Sequence, residues 1–438
     1  MDSSDRFRRS RELKSRLNAL VPGGGHTYAK GDDQFPELSP GILVRGAGCH
    51  VWDADGNEFI EYGMGLRAVT LGHAYPPVVE AVRASLSLGT NFTRPSITEL
   101  ECAEMFLGII EGAEMVKFTK DGSTADTAAV KLARKHTGRN LVAICAEHPF
   151  FSYDDWFIAT TTMAGGIPEA ARAETLRFRT NDLASVRALF DEHPGQIAAV
   201  MLEPARIEEP APGFLQGLKT LCHERGALLI FDEMITGFRW NLGGAQKEYG
   251  VVPDLSTFGK AIANGFPLSA LAGKREVMRL GSRERPGDDV FLLSTTHGAE
   301  TASLAAGIRT MAIYKSEPVV EHLHRQGHRL TAGVRAAARR HGLDKHIEVI
   351  GRPCNLLFGT RGPDGHPSQP FRTLFLQEMI RRGVLAPSFV VSYSHTDEDI
   401  DRTVDAVDGA LGVYARALSD GVEKFLVGRP SRTVFDRR

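Results

Sequence analysis

An α/β fold with a large central domain is what this sequence predicts, and three observations carry that expectation. Between about residues 75 and 310, short apolar runs (MVKFT, NLVAICA, IAAVMLE, ALLIFDE) alternate with helical stretches such as STADTAAVKLARKHTG and GFLQGLKTLCHERG. The runs are apolar throughout rather than at every second position, the mark of parallel strands covered on both faces. The chain has 438 residues, too many for one ordinary core.

Taken in order, the elements begin with a polar, helix-like stretch, MDSSDRFRRSRELKSRL, and glycine-rich turns, VPGGGHTYAKGDD. A hairpin is expected in GILVRGAGCHVWDADGNEFIEYG, where Asp55-Gly56 is a turn signal between two β-like runs. The domain boundaries read 1–74 for this N-terminal segment, 75–315 for a mostly parallel sheet covered by helices, and 316–438 for a smaller α+β domain. The tail from about residue 419 is polar.

Composition narrows the function. With 52 basic and 54 acidic residues the formal charge is −2, so no bulk field draws the chain to nucleic acid or an anionic membrane. No run approaches the roughly 18 apolar residues of a membrane span, and the N-terminus has no apolar signal core. The five cysteines are scattered and form no CxxC pair. That argues against a disulfide framework and a zinc site, and for reduced thiols in the cytoplasm.

Ligands of parallel sheets bind beyond the carboxyl ends of the strands. ALLIFDE ends in Asp232 and Glu233, IAAVMLE in Glu203, and STFGK in Lys260. MVKFT runs through Lys120 and Asp121 into Gly122, Ser123 and Thr124, which open a helix. Singly, each has a structural explanation: Asp232 can cap the next segment, Gly-Ser-Thr is a common N-cap signal, and many strands end on a solvated lysine. Together they fit pyridoxal phosphate. That cofactor needs an amine to hold its aldehyde, a carboxylate at its ring nitrogen and a cradle of backbone N–H groups for its phosphate.

At residues 226–278, GALLIFDEMITGFRWNLGGAQKEYGVVPDLSTFGKAIANGFPLSALAGKREVM, the sequence resembles the glutamate-1-semialdehyde aminomutase branch of the class-III, fold-type I aminotransferases. VWDADGNEFIEYGMGL, LGHAYPPVVEAV, KLARKHTGR and TTHGAETASLAAG extend the likeness over most of the chain. The resemblance implies that Lys260 anchors pyridoxal 5'-phosphate and Asp232 holds the ring nitrogen. It places Glu203 in a Glu-Pro turn beside the cofactor, Gly122 and Ser123 (with Thr124) at the phosphate, and Phe150 on the ring. Thr296 aligns with a threonine that reaches the phosphate of the neighbouring subunit, so a homodimer with its site at the interface is implied. The expected partners are a small amino donor and a carbonyl acceptor, with pyridoxamine 5'-phosphate as the amino-carrying form. Arg67, Arg94, Lys30, Tyr28 and His26 lie in segments that border the family's site, and are candidates for an acidic group on the substrate.

Departures cluster on the substrate side. The family's S-G-T-E-A is Asp121-Gly122-Ser123-Thr124-Ala125, its G-N-P is Ala299-Glu300-Thr301, and Leu66 stands where the aminomutase has a tryptophan. After Ala386-Pro387-Ser388 the aminomutase's F-E-A stretch is absent, and FVVSYSHT follows directly. Amino transfer is therefore the leading expectation. The alternatives are an intramolecular 2,1-aminomutase retaining its intermediate under a lid such as TTTMAGGIPEAARAETLRF, another reaction of the same cofactor (decarboxylation or racemisation), or a non-catalytic protein of this fold.

Overall fold

The computed structural model describes residues 6–147 and 150–433; the first five residues, His148-Pro149 ahead of Phe150, and the last five residues of the tail lie outside the described chain. Two compact units form, one from residues 76–320 and one from residues 6–75 with 321–433.

The chain opens with a helix, Arg8–Leu20, and three short strands, β1 (Leu43–Ala47), β2 (His50–Asp53) and β3 (Glu58–Glu61). Asp55-Gly56 turns β2 into β3, with Gly56 at φ 86° and the Asp53 side chain accepting from the N–H groups of Asp55 and Asn57. A second reversal at Gly48, φ 58°, splits the first run, so the expected hairpin is a three-stranded meander.

The middle unit carries a seven-stranded sheet of β4 (Met115–Thr119), β5 (Leu141–Cys145), β6 (Thr175–Phe178), β7 (Ile197–Leu202), β8 (Leu228–Asp232), β9 (Leu255–Phe258) and β10 (Ser269–Gly273). Their order is β4-β10-β9-β8-β7-β5-β6, parallel except for β10, which runs antiparallel to both neighbours. Every residue of β7, β8 and β9 is buried, as a sheet covered on both faces requires. One face packs Val142, Met201, Ile230 and Leu255 against the helix Gly122–Thr137. The other packs Val200, Leu202, Leu229 and Phe231 against Phe214 and Leu218 of the helix Phe214–Glu224. The final residues of the expected lid, Thr175–Phe178, are β6, paired in parallel with β5. That part of the segment is sheet edge rather than cover.

In the second unit, β11 (Ile347–Ile350) pairs with β12 (Leu357–Thr360), and β13 (Val384–Leu385) adds in parallel to β3. Phe7, Val51, Phe59, Ile380 and Leu385 belong to one of its apolar clusters. The polar tail is fastened here: Val427 N–H donates to Gln377 at 2.8 Å and Arg432 N–H to the Asp33 carbonyl at 2.6 Å. Among the described residues no helix is long and apolar enough to cross a membrane.

Candidate active site at the strand ends

Three adjacent parallel strands each deliver a charged side chain at the carboxyl end. β7 is followed by Glu203, β8 ends on Asp232, and β9 is followed by Gly259 and Lys260. Register fixes them: Leu202 lies opposite Phe231, Asp232 lies opposite Thr257, and Glu233 N–H donates to the Thr257 carbonyl at 2.8 Å. Lys260 takes the left-handed conformation, φ 44°, straight after an extended Gly259. A side chain there costs about 1–2 kcal/mol, a strain that collects at functional sites. Close approach explains both glycines of the site. A β-carbon at Gly259 would lie 2.6 Å from Met234 Sδ, and one at Gly122 would lie 2.9 Å from the same atom. Met234 thus links the end of β8 to the start of the helix Gly122–Thr137.

Asp232 is buried, with Oδ1 accepting from Met234 N–H at 2.8 Å. Burial and the nearby Glu203 push its carboxyl up to about 7, against the opposing pull of Lys260. Glu203 is also buried, with Arg206 Nε 3.7 Å from its Oε2. Glu233 belongs to the framework: its carboxylate accepts from the N–H groups of Ala245 and Gln246, each at 2.8 Å, and from the Thr236 hydroxyl.

Sequence reasoning missed Asp126. This residue is buried in the first turns of the helix Gly122–Thr137, and its Oδ1 accepts from the Thr257 hydroxyl at 2.5 Å. Among the described residues its Oδ2 has no hydrogen-bond partner. Burial, then Asp232, hold its carboxyl well above the ordinary range. The signal was available in helical spacing, because Asp126 shares a stripe with Ala129, Val130 and Ala133, all buried. An acid on an apolar stripe marks either a paired charge or a site.

At the helix start, Asp121 is the N-cap: its carboxylate accepts from Thr124 N–H at 2.8 Å and from the Thr124 hydroxyl at 2.9 and 3.0 Å. Both polar groups of Thr124 therefore serve the cap. The N–H groups of Gly122 and Ser123 lie in the first turn, where no intrahelical carbonyl reaches them. Ser123 is buried, and its Oγ accepts from Tyr153 N–H at 3.2 Å.

The other candidates differ in exposure and in local contacts. Phe150 is 41% exposed and meets Phe157 edge-on at 5.8 Å. Thr296 is exposed, and its carbonyl accepts from Asn91 at 3.0 Å. Arg94 is exposed between the helices Pro76–Leu86 and Ile97–Leu107. In the other unit His26, Tyr28 and Lys30 are exposed. Arg67 sits in a left-handed run, Met64 to Arg67 with φ from 42° to 73°, and its Nε donates to Asn355 at 2.8 Å. The departures also have local roles. Glu300 caps the helix Thr301–Ser316 and pairs with Lys120 at 2.8 Å. Phe389, Val390 and Val391, where the aminomutase has its F-E-A stretch, are buried in their own unit.

This donor set fits pyridoxal phosphate. It holds an amine on a strained residue, a buried carboxyl whose proton affinity responds to that amine, and first-turn N–H groups. Comparison with known proteins points the same way. The family profile of the class-III aminotransferases matches residues 28–411. The FumI protein of Sphingopyxis sp. MTA144, solved in its PLP internal aldimine form, is 29% identical with a TM-score of 0.86, covering 97% of this chain and 99% of its own. An omega-transaminase from Sphaerobacter thermophilus is 27% identical with a TM-score of 0.84, covering 94% and 100%. A glutamate-1-semialdehyde-aminomutase from Pseudomonas aeruginosa PAO1, at 21% identity and a TM-score of 0.81 over 94% and 96%, shares the fold. With most of its length matched, the chain belongs to the class-III aminotransferases, enzymes that work with pyridoxal phosphate.

Proposed function

We propose that this enzyme transfers an amino group between a small amine and a separate carbonyl compound, with Lys260 as the cofactor's covalent anchor and proton carrier. The observation that carries the proposal is the delivery of Lys260 and Asp232 by adjacent parallel strands to one buried edge, where the amine opposes the upward push on the carboxyl. Bound there, pyridoxal phosphate would supply an electron sink for the carbon that loses its proton. Asp232 would face the ring nitrogen as an anion, Glu203 would flank it, and the N–H groups of Gly122 and Ser123 would hold the phosphate at the helix's positive end. Lys260 Nζ would take and return the proton as general base and acid. Thr124, Phe150 and Thr296 are assigned to the cofactor from the family pattern. Arg67 is our first choice for an acidic substrate group, ahead of Arg94, Lys30, Tyr28 and His26.

Transfer between two molecules is preferred over the aminomutase reading. The solved structures described as transaminases reach 27% and 25% identity, whereas the aminomutase at 21% contributes only the fold. We further propose a cytoplasmic homodimer. Leu88, Phe92, Ile97, Leu100 and Phe291 are large apolar side chains more than half exposed, and Thr301 bonds to the Gly89 and Thr90 carbonyls, bringing the loop before Ile97 to the segment that holds Thr296. Exposed apolar patches of this kind mark association surfaces.

The test is a visible absorbance spectrum of the purified enzyme before and after addition of simple amines and amino acids. A yellow band that fades with a donor while a carbonyl product appears supports transfer. A protein that arrives in the pyridoxamine form and turns yellow only with an amino-aldehyde, whose carbonyl accepts the amino group, supports the aminomutase. Absence of any band after pyridoxal phosphate is added overturns the cofactor assignment. An unchanged KM for an acidic substrate in Arg67→Ala removes Arg67 from the substrate site.

A further inference from the structure

Asp126 is a buried acid with no evident task in the proposed chemistry. It projects from the helix Gly122–Thr137 onto Thr257 of β9, the residue in register with Asp232 of β8. Two carboxyls therefore meet one strand position, from the helix layer and from the neighbouring strand. Only one oxygen of Asp126 is bonded, to a neutral hydroxyl, and the other has no partner among the described residues. An ionised carboxylate in that position would be a nearly unsolvated anion, which proteins avoid by pairing or by protonation.

Among the described residues, the cation that acts on Asp126 is one it shares with Asp232. Asp232 and Glu203 oppose its ionisation and Lys260 favours it, and that single amine also acts on Asp232. β10, packed on the same helix, contributes SALAG with no titratable group, and β4 contributes the half-buried Lys117, whose amine is itself held down by burial. From the short helix Arg275–Met278 the charged side chains, Arg275 and Glu276, are exposed.

We propose that Asp126 is a positioning residue that stays protonated at neutral pH, braced by Thr257, so that Asp232 is the single anion offered to the cofactor's ring nitrogen. This rests on the assignment of Lys260 and Asp232 to pyridoxal phosphate. A neutral acid keeps the shape and the Thr257 contact of a carboxylate without adding a second negative charge behind Asp232. A second charge would raise the cost of ionising Asp232 before the cationic ring arrives.

The test compares full-length wild type and Asp126→Asn, cofactor-free and loaded. Protonated in the fold but ionised when unfolded above about pH 4, Asp126 costs stability that grows as pH rises, whereas asparagine carries no such dependence. The Asp126→Asn protein should therefore gain on wild type in urea midpoint between pH 4 and pH 8. Any fixed cost of the amide appears at both ends and drops out of the difference, as does the titration of Asp232. A gap of the opposite sign, with the variant falling behind as pH rises, overturns the proposal. Pyridoxal 5'-phosphate affinity should stay within about threefold of wild type, since the amide mimics the neutral acid; a tenfold loss would mean that an anion had been removed. Thr257→Val serves if the first variant folds poorly. Its stability loss should be independent of pH from 5 to 8 if Asp126 is neutral, and should grow with pH if Asp126 is ionised. If neither wild type nor variant binds pyridoxal 5'-phosphate, the cofactor assignment fails, while the stability slopes still decide the protonation of Asp126.

Discussion

Two buried polar clusters in this protein differ in how their acids are held. At the strand ends, Asp232, Glu203, Asp126 and Lys260 bring three acids to one amine, and among the described residues one oxygen of Asp126 has no hydrogen-bond partner. In the other unit, Asp399 sits with Cys49 and His50. Its Oδ2 accepts from Thr396 N–H at 2.9 Å, from the Thr396 hydroxyl at 2.7 Å and from Cys49 Sγ at 3.4 Å, and its Oδ1 meets His50 Nε2 at 3.0 Å. Burial drives both carboxyls up. At Asp399 the hydrogen bonds from His50 and Thr396 outweigh it and hold the acid below its usual range, whereas Asp232 rises to about 7. The Asp399 cluster, with His50 Nδ1 2.8 Å from the Glu58 carboxylate, closes the N-terminus of the helix Asp397–Asp420 and serves as a helix cap. The other holds the buried, shifted acids that the proposed function assigns to the cofactor and its surroundings.

The sharpest way to break this contrast is at the amine. Lys260→Ala should lower kcat/KM by at least about 10³-fold in enzyme saturated with pyridoxal phosphate, the scale of a lost general base with its anchor. Asp232→Asn should cost roughly 10²-fold or more through the ring nitrogen. Steady-state kinetics with one donor and one acceptor decides both. Activity within tenfold of wild type in Lys260→Ala would dissolve the distinction between the clusters.

Why the first cluster could be read from sequence and the second could not follows from spacing. Asp232, Glu203 and Lys260 each terminate an apolar run, and a parallel sheet brings such ends together whatever the loops do. The pairing of Asp399 with Cys49 spans 350 residues and depends on how one unit closes on itself, which no local pattern encodes. Asp126 falls between these cases: its stripe was visible, but its partner Thr257 lies 131 positions away. Two features beyond the expectation have local causes. The extra turn of the meander needed only Gly48, and β6 hid at the end of a polar segment because an edge strand has less apolar surface to show.

A smaller effect separates the clusters by stability. Asp399→Asn should destabilise the protein by about 1–3 kcal/mol, the usual cost of breaking a satisfied buried network. The pH dependence has a definite sign. Asp399, held low in the fold, contributes stability that is present above about pH 4 and is lost as pH falls through its folded value. His50, held high by Asp399, contributes stability that is full below about pH 6.5 and is lost as pH rises through its folded value. The gap between wild type and variant in urea denaturation should therefore be widest between roughly pH 4.5 and 6.5. A gap that does not vary with pH would mean that the pair is not ionic.

The smallest expected effect tests whether the active-site cluster stores strain where the other does not. Lys260 is left-handed, so replacing it removes the chemistry in any case, and the choice of replacement probes the backbone alone. Alanine at φ 44° pays a left-handed penalty of about 1–2 kcal/mol. Glycine avoids it but gives back about 0.4–1 kcal/mol through the greater freedom of its unfolded chain. Lys260→Gly should thus be about 0.5–1 kcal/mol more stable than Lys260→Ala, both cofactor-free. The same exchange at Ala410, buried within the helix Asp397–Asp420, should run the other way, with glycine about 1 kcal/mol worse. If both sites favour alanine, Lys260 is not held in a strained conformation, and the lysine owes its position to the strand end alone.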